Sequence, residues 1–422
     1  MTSPHAEESQ KSIAVLYRLA VSLAIFFSIV LVIGVWHLGS NSMIACGFLG
    51  ALFIHFGSRP SLMHVSLSLA AGIIVAFLYA LLGGPFGPNT FSYLMGAGAF
   101  LGVGSILVMS LHQVWTRSSP YALPLRDALI LPVFSLIAGL CMHFANGGSH
   151  SSFDFLLYRF DSSLGLAPGP FVVSLFRELP WIRTGSSLFY GGLLCFPPLY
   201  HGWASYNGKV AKVHLMHAFV VAGVGGFVLY QICPAVGPLV TFGPQFPDRL
   251  PAMSAVPMNA FMSTSVHNAM PSMHMTWALL VWVAAWELGS FAVAMASVFV
   301  MFTGLAAVGF GEHYLIDLIV SVPLVMMVQG ICTARHKLTA IGLGLVVAWT
   351  VYLRTGIQLP TALNWLSMIA TVMTTVFMMR TFPATGNKPR NPSRACSPQS
   401  FTVRNSSSEV GSGVGSGSRI SS

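Results

Sequence analysis

The chain has 422 residues, of which 55% are hydrophobic and only 7% are charged, and its mean hydropathy is +0.74. Because a soluble domain carries about 25% charged residues, this composition excludes an ordinary soluble protein and predicts an all-α polytopic membrane protein. The formal net charge of +9 comes from basic residues scattered between apolar stretches. We therefore attribute it to orientation in a membrane and expect no nucleic-acid partner.

Windows of about 20 apolar residues, the length that crosses a bilayer, predict about twelve transmembrane helices. Their ranges in chain order are 13–36, 43–57, 62–83, 91–112, 125–145, 186–200, 213–233, 273–288, 290–308, 314–331, 338–354 and 362–380. The segment 1–12 has no such window and is expected to be a cytoplasmic N-terminal tail. The segment 383–422, rich in Ser and Gly, is expected to be a disordered cytoplasmic tail.

Basic residues fall in alternate loops between the predicted spans. They are Lys11, Arg59, Arg117 and Arg126, Lys209 and Lys212, Arg335 and Lys337, and the tail from Arg380. The exceptions on the other side are Arg159, Arg177, Arg183, Arg249 and Arg354. Since cytoplasmic loops are enriched in Lys and Arg, this pattern predicts that both termini are cytoplasmic. The protein is then an integral protein of the cytoplasmic or plasma membrane.

Two long segments without an apolar span, 146–185 and 234–272, lie on the outer side in this topology. Within the first, Phe171–Arg177 predicts a short amphipathic helix along the membrane surface. Irregular backbone near a membrane is tolerated where it lines a cavity, so we expect both segments to cover a site.

Two short motifs carry the functional signal, and the topology puts both on the outer side. The first is Pro271-Ser272-Met273-His274, and the second is Gly311-Glu312-His313-Tyr314-Leu315-Ile316-Asp317. On a helix, His313 and Asp317 would share a face, and the carboxylate would hold one imidazole nitrogen and leave the other free to attack. His274 would be the proton donor. Ser272 predicts a helix start, whose N–H groups favour an anion such as phosphate.

The sequence Pro-Ser-x-His followed by His-Tyr-x-x-Asp resembles the type 2 phosphatidic acid phosphatase (PAP2) superfamily. It most resembles the branch of inositol phosphorylceramide synthases and sphingomyelin synthases. Asp161 in Phe-Asp-Ser-Ser-Leu-Gly and the segment Pro234-Ala235-Val236-Gly237-Pro238 are similar to that branch as well. The resemblance implies a six-helix catalytic core at 125–332, flanked by extra transmembrane helices at 13–112 and 338–380.

By this resemblance His313 is the nucleophile that forms a phosphohistidine, Asp317 orients and polarises it, and His274 protonates the departing oxygen. The phosphatases also have an Arg six residues before the nucleophile, where this chain has Ala307. Their first motif, a Lys and an Arg-Pro pair, has no clear counterpart. These absences favour the inositolphosphotransferase-like branch, and they leave Arg249, His267 and the helix start at Ser272 as candidates for substrate binding.

We therefore predict a phosphoesterase or phosphotransferase that acts on a phospholipid, sphingolipid or polyprenyl phosphate at the outer face, without a metal or other cofactor. One alternative is a metal-dependent membrane hydrolase with His274, His313 and Asp317 as ligands. Another is a transporter or scaffold, in which the same side chains form a proton relay or a structural pair. The chain has no visible internal repeat, which weighs against transporter folds built from repeats.

Overall fold

The apolar segments form helices because a helix satisfies every backbone N–H and C=O group within the segment, as hydrocarbon requires. A computed structural model describes residues 42–81, 90–116, 120–145, 150–210 and 214–381. The predicted span 13–36 and both predicted tails lie outside these residues. All described residues belong to one compact unit.

The described residues form fifteen α-helices and one two-stranded ribbon. The helices are α1 (Ser42–Gly57), α2 (Leu62–Leu81), α3 (Thr90–Thr116), α4 (Ala122–Ala145), α5 (Asp154–Ser163), α6 (Pro168–Glu178), α7 (Pro180–Gly191), α8 (Phe196–Tyr206), α9 (Leu215–Ile232), α10 (Pro238–Phe242), α11 (Met273–Ala285), α12 (Ser290–Gly309), α13 (Leu315–Cys332), α14 (His336–Thr355) and α15 (Thr361–Thr381). The ribbon pairs β1 (His150–Ser152) antiparallel with β2 (Phe261–Ser263) and so joins the two long segments between spans.

Eight of these helices are long and apolar enough to cross a membrane by length and composition: α2, the part of α3 from Gly96, the part of α4 up to Met142, α9, α12, α13, α14 and α15. Two shorter apolar helices are Ile44–Gly57 within α1 and Met273–Ala285, which is α11. The predicted all-α polytopic membrane fold is confirmed. All but one of the predicted spans within the described residues correspond to a helix with bounds that differ by a few residues.

The exception is the predicted span 186–200, which is wrong as a single helix. Helix α7 ends at Gly191, a 3₁₀ turn follows at Leu193–Cys195, and α8 starts at Phe196. Its second and third residues are Pro197 and Pro198. Proline has no N–H to donate and is accommodated in the first turn of a helix, so the chain restarts a helix there.

The amphipathic helix predicted at Phe171–Arg177 is present as α6. It buries Gly169, Val172 and Phe176, at positions that share one helical face. Val172 and Phe176 pack on Gly309, at the end of α12, where an added Cβ would lie 2.5 Å from the Phe176 ring. This contact places α6 beside the turn that carries His313.

Candidate functional site

Helix α11 brings His274 to the site because Ser272 begins the helix. Ser272 has extended backbone angles, and its Oγ accepts a hydrogen bond from the N–H of Met275 at 3.3 Å, as an N-cap residue does. The predicted helix start is therefore present, and His274 lies in the first turn. Its ring stacks on Tyr190, at the end of α7, with ring centroids 3.9 Å apart.

His313 lies in the turn between α12 and α13 and not on a helix, so the expected shared helix face with Asp317 is wrong. The turn forms because Gly311 has φ +72° and because the N–H groups of Glu312 and His313 both donate to Ala307 O, at 3.1 and 3.0 Å. Helix α13 begins two residues after His313, and Asp317 is in its first turn.

The two motifs meet through backbone contacts of Ser272. Its N–H donates to Asp317 O at 3.2 Å, and its carbonyl accepts a hydrogen bond from Ser321 Oγ at 2.8 Å. The start of α11 is thereby tied to the first two turns of α13. As a result the rings of His274 and His313 lie 6.0 Å apart between centroids, at an angle of 60°.

The Nδ1 atom of His313 is held by a backbone carbonyl. It lies 2.9 Å from Ala269 O and 3.6 Å from Asp317 Oδ2. A carbonyl oxygen only accepts, so Nδ1 carries the hydrogen and Nε2 of the neutral ring carries the lone pair. Asp317 Oδ2 itself accepts the N–H of Tyr314 at 2.8 Å, so this carboxylate caps α13 and lies farther from the imidazole than the carbonyl does.

Burial makes His313 an imidazole rather than an imidazolium at neutral pH. Its side chain is nearly inaccessible, and this desolvation lowers the pKa of His313 to about 4, although the Ala269 carbonyl and the charge of Glu312 act in the opposite direction. A neutral imidazole with its Nδ1 hydrogen fixed is the form in which Nε2 is a nucleophile.

Asp161 caps the helix that follows His313. Its Oδ2 accepts from Leu315 N at 2.6 Å and its Oδ1 from Ile316 N at 3.1 Å, so it satisfies two of the unpaired N–H groups at the start of α13. Burial raises the pKa of Asp161 to about 8, against the effect of these two hydrogen bonds. The carboxyl thus fixes the N-terminus of α13 from a separate helix, α5.

A second buried carboxylate, Asp154, fixes the backbone behind His313. It accepts hydrogen bonds from Ser152 Oγ and from the N–H groups of Val236 and Gly237, the last two at 2.8 Å each. Gly237 has φ +89°, and a Cβ there would lie 2.5 Å from Glu312 O. Only glycine therefore allows the close approach to the turn that carries His313.

The C-terminal helix pair, α14 and α15, supports the same region. Trp365 Nε1 donates to Leu164 O at 3.0 Å, Asn364 Nδ2 to Ser163 Oγ at 2.8 Å, and Thr361 Oγ1 to Ser163 O at 2.7 Å. These bonds hold the C-terminal end of α5, which carries Asp161. The extra helices thus contribute to the position of α13 although they supply none of the predicted site residues.

A cavity of about 760 Å³ opens at the two histidines. His274, His313, Glu312, Asn268 and Tyr190 line one end of it, and the remaining walls are mostly apolar side chains of α4 and α9. A site with polar groups at one end and an extended apolar wall fits an amphiphile better than a compact polar solute.

The three predicted substrate-binding residues have different surroundings. Ser272 is fully buried and is engaged as the helix cap described above. His267 is buried, five residues before Ser272. Arg249 is exposed, and within the described part of the chain it makes no ion pair with the site. None of the three lines the large cavity.

Sequence reasoning missed Tyr190 and the Ala269 carbonyl. Neither leaves a local signal, because Tyr190 lies far from both motifs in sequence and the Ala269 contact is made by a backbone atom. Asp161 and the segment around Gly237 had a signal in their similarity to the synthase branch. Their roles as a helix cap and a backbone support were not predicted.

Comparison with known protein families gives a match to part of the chain. The family model described as the PAP2 superfamily matches residues 156–331, which include His274, His313 and Asp317. No curated protein and no solved structure matches the chain significantly. The matched segment supports a phosphatase-type activity at a membrane and ends before α14 and α15. In the described ranges no group of three or more His, Cys, Asp or Glu is arranged to hold a metal ion.

Proposed function

We propose that the protein is a membrane-embedded phosphoesterase or phosphotransferase that cleaves a phospholipid, sphingolipid or polyprenyl phosphate through a covalent intermediate on His313. One observation carries the proposal: His313 and His274 meet at the mouth of a largely apolar cavity, with Nδ1 of His313 fixed by Ala269 O. The match to the PAP2 superfamily over the same residues supports it.

The reaction consists of two displacements at phosphorus. In the first, Nε2 of His313 attacks, the bond to the departing oxygen breaks, and that oxygen takes a proton from His274. In the second, water or an acceptor hydroxyl gives its proton to His274 as its oxygen attacks phosphorus and breaks the P–N bond. Water makes the enzyme a phosphatase, and a hydroxyl makes it a transferase of the inositolphosphotransferase-like type.

Asp317 has a supporting role in this scheme. Its Oδ2, 3.6 Å from Nδ1, stabilises the positive charge that develops on the ring as the P–N bond forms, and its hydrogen bond with Tyr314 fixes the turn. Ser272, Arg249 and His267 are proposed to bind phosphate together with the N–H groups that begin α11.

We place this site on the outer face of the membrane, with both termini cytoplasmic. Arg59 and Lys209 lie at the end of the bundle opposite His274. Lys209 donates to Glu287 O, just after the C-terminal end of α11, whereas His274 is at the N-terminal end of that helix. Arg59 donates to Tyr206 O at 2.8 Å, close to Lys209 in the chain. The excess of Lys and Arg on the cytoplasmic side then puts His274 outside. In intact cells, an impermeant thiol reagent should label a cysteine introduced at the exposed Gln245 and not one at the exposed Asn207; the reverse pattern would invert the orientation.

The covalent step is tested by trapping. Purified protein is mixed with a lipid phosphate carrying ³²P, denatured in alkali, and digested. We expect an acid-labile, alkali-stable label on the peptide that contains His313, and we expect His313→Ala to lose both the label and turnover by ~10³-fold or more. Turnover without any trapped label, or turnover that a chelator abolishes and only an added divalent metal restores, would contradict the proposal.

A further inference from the structure

The large cavity is a continuous groove along two helices. Its lining residues on α4 recur every three or four positions from Arg126 to Met142, and those on α9 recur in the same way from Val220 to Tyr230. The rise of an α-helix makes the groove ~24 Å long on the α4 side. This length exceeds one leaflet, whose hydrocarbon is ~15 Å thick.

The groove has an apolar middle and a rigid floor. Phe134 crosses it and lies on Gly223, where a Cβ would come 2.2 Å from the ring. The same ring packs edge-on against Phe219 and Trp277, with centroids 5.1 and 6.1 Å away. Because Gly223 has no side chain, the ring of Phe134 can pack directly on the backbone of α9 and form the floor of the groove.

The two ends of the groove are polar and differ in character. The histidines lie at one end, whereas Arg126 closes the other. The guanidinium of Arg126 is held by Asp127, at 2.8 Å from Nε and 2.6 Å from the terminal nitrogen. The rims are open, because Ile137 and Val224 are 53% and 58% exposed. A molecule can therefore enter sideways from the membrane.

We propose that this groove binds one hydrocarbon chain of the substrate, with its phosphate at His313 and its far end beyond the bilayer midplane near Arg126. The position of the substrate's phosphate at His313 rests on the proposed function. The occupant is a single chain longer than one leaflet, which is the shared chemistry of polyprenyl and very long acyl chains. The apolar side chains that line the groove extend ~20 Å along α4, from Leu129 to Met142, and ~15 Å along α9. They favour this occupant because a hydrocarbon chain makes van der Waals contacts along its whole length.

Chain length is the variable that tests this inference. Single-chain phosphates of increasing length, straight or prenyl, are compared in mixed micelles. The kcat/KM of the unmodified protein should rise by up to about four-fold per added methylene and stop rising once the chain reaches Arg126. Straight and prenyl chains of equal length distinguish the two sources.

Three tryptophan substitutions on α4 locate the chain. In Ile137→Trp, kcat/KM should stop rising at a short chain length. In Ile130→Trp, which lies nearer Arg126, it should stop rising only at a longer chain length. Leu140→Trp is the matched control, because Leu140 is exposed on the same helix and does not line the groove. At each chain length, kcat/KM of the variant is divided by kcat/KM of the unmodified protein. This ratio is independent of how strongly the substrate partitions into the micelles, because both proteins meet the same micelles.

Binding without turnover separates this inference from the proposed function. Non-hydrolysable alkyl phosphonates should raise the melting temperature more with each added carbon. In Ile130→Trp this increase should stop at a limiting chain length. If no phosphate is turned over but the melting temperature of Ile130→Trp stops increasing at a limiting chain length, the groove proposal stands and the proposed function fails. If His313-dependent turnover is seen while Ile130→Trp and Ile137→Trp respond to chain length as Leu140→Trp does, the groove proposal is overturned and the function stands.

Discussion

Two regions of the helix bundle each bring a histidine against an aspartate. In one, His313 Nδ1 lies 3.6 Å from Asp317 Oδ2; in the other, His201 Nε2 lies 3.0 Å from Asp127 Oδ2. The second pair is at the opposite end of the bundle from His274. Tyr200, the residue before His201, donates a hydrogen bond to Ala292 O at the start of α12. Since α12 follows the end of α11, and His274 lies at the beginning of α11, the whole length of α11 separates the two pairs.

The surroundings of the two pairs differ more than their distances do. Asp127 is shared by His201 and by Arg126, so both of its oxygens are engaged, and His201 does not line the large cavity. His313 instead has Nδ1 occupied by a backbone carbonyl, a second imidazole beside it, and an open cavity in front. A short contact between histidine and aspartate is therefore compatible with a purely structural role. We propose that the cavity in front of His313 and the second histidine beside it distinguish this pair as the reactive one.

The strongest test of this contrast is the replacement of His274 by alanine. We expect kcat/KM for an alkyl phosphate ester to fall by ~10²–10⁴-fold, because the departing alkoxide loses its proton donor. A nitrophenyl phosphate, whose leaving group needs no proton, should lose much less. Steady-state assays with both substrates measure the difference.

The matched control is His201→Gln at the opposite end of the bundle. It should leave kcat/KM for both substrates within about two-fold, since His201 lies too far from the departing oxygen to give it a proton. Equal losses for the two leaving groups in His274→Ala would contradict the role of His274 as the acid.

Asp127→Ala should affect stability and spare the chemistry. The substitution leaves the buried His201 and the neighbouring Arg126 without their shared acceptor, which costs about 2 kcal/mol of unfolding free energy. Thermal unfolding in detergent measures this loss, and steady-state kinetics should give an unchanged kcat for a short-chain substrate. A large fall in kcat with a normal melting temperature would mean that the second pair takes part in catalysis.

The sequence was a good guide to whatever depends on local patterns. Hydropathy located the long helices, and the motif around Ser272 located the start of α11, since both depend on neighbouring residues. It failed at 186–200, where average hydropathy conceals the restart of a helix at Pro197, and at His313, where the residue spacing could not show that α13 begins at Leu315.

Long-range contacts explain most of what was missed. The Ala269 carbonyl, the ring of Tyr190 and the cap by Asp161 come from segments distant in sequence, and no periodicity records which of them will meet His313. The pairing of Asp127 with His201 was missed for the same reason.

The backbone support behind His313 can be tested with the two glycines that flank α10. Gly237 and Gly243 have similar positive φ values, +89° and +83°, with extended ψ values, so alanine at either position costs ~1–3 kcal/mol of stability in backbone strain. Only the Cβ at Gly237 meets another group, Glu312 O at 2.5 Å, whereas nothing lies within 4 Å at Gly243. Gly237→Ala should therefore also displace His313 and lower kcat by about ten-fold or more.

Kinetics and thermal unfolding of the two glycine variants should be measured side by side. Because the strain is shared, a difference between their kcat values reports the contact with Glu312 alone. Equal kcat values in Gly237→Ala and Gly243→Ala would show that the turn carrying His313 does not depend on this contact.

The smallest expected effect belongs to Asp161→Asn and depends on pH. Burial raises the pKa of Asp161 to about 8 from an unfolded value of ~4, so the folded protein keeps a proton that the unfolded chain has released. Stability from this group is complete below pH ~4 and is lost as the pH rises towards 8. Asparagine resembles the protonated acid and keeps one oxygen for Leu315 or Ile316, so at pH 5 the cost should be about 1 kcal/mol.

The melting temperatures of the unmodified protein and of Asp161→Asn should therefore converge between pH 5 and about pH 6, because only the unmodified protein loses this stability, at about 1.4 kcal/mol per pH unit. Above that pH the variant should be the more stable of the two. Asp127→Asn, at the other pair, is the comparison for a buried carboxylate that is held by a guanidinium and an imidazole ring instead of backbone amides. A stability cost of Asp161→Asn that increases with pH would instead mean that Asp161 is ionised when it caps α13, with its charge stabilised by the N–H groups at the start of that helix.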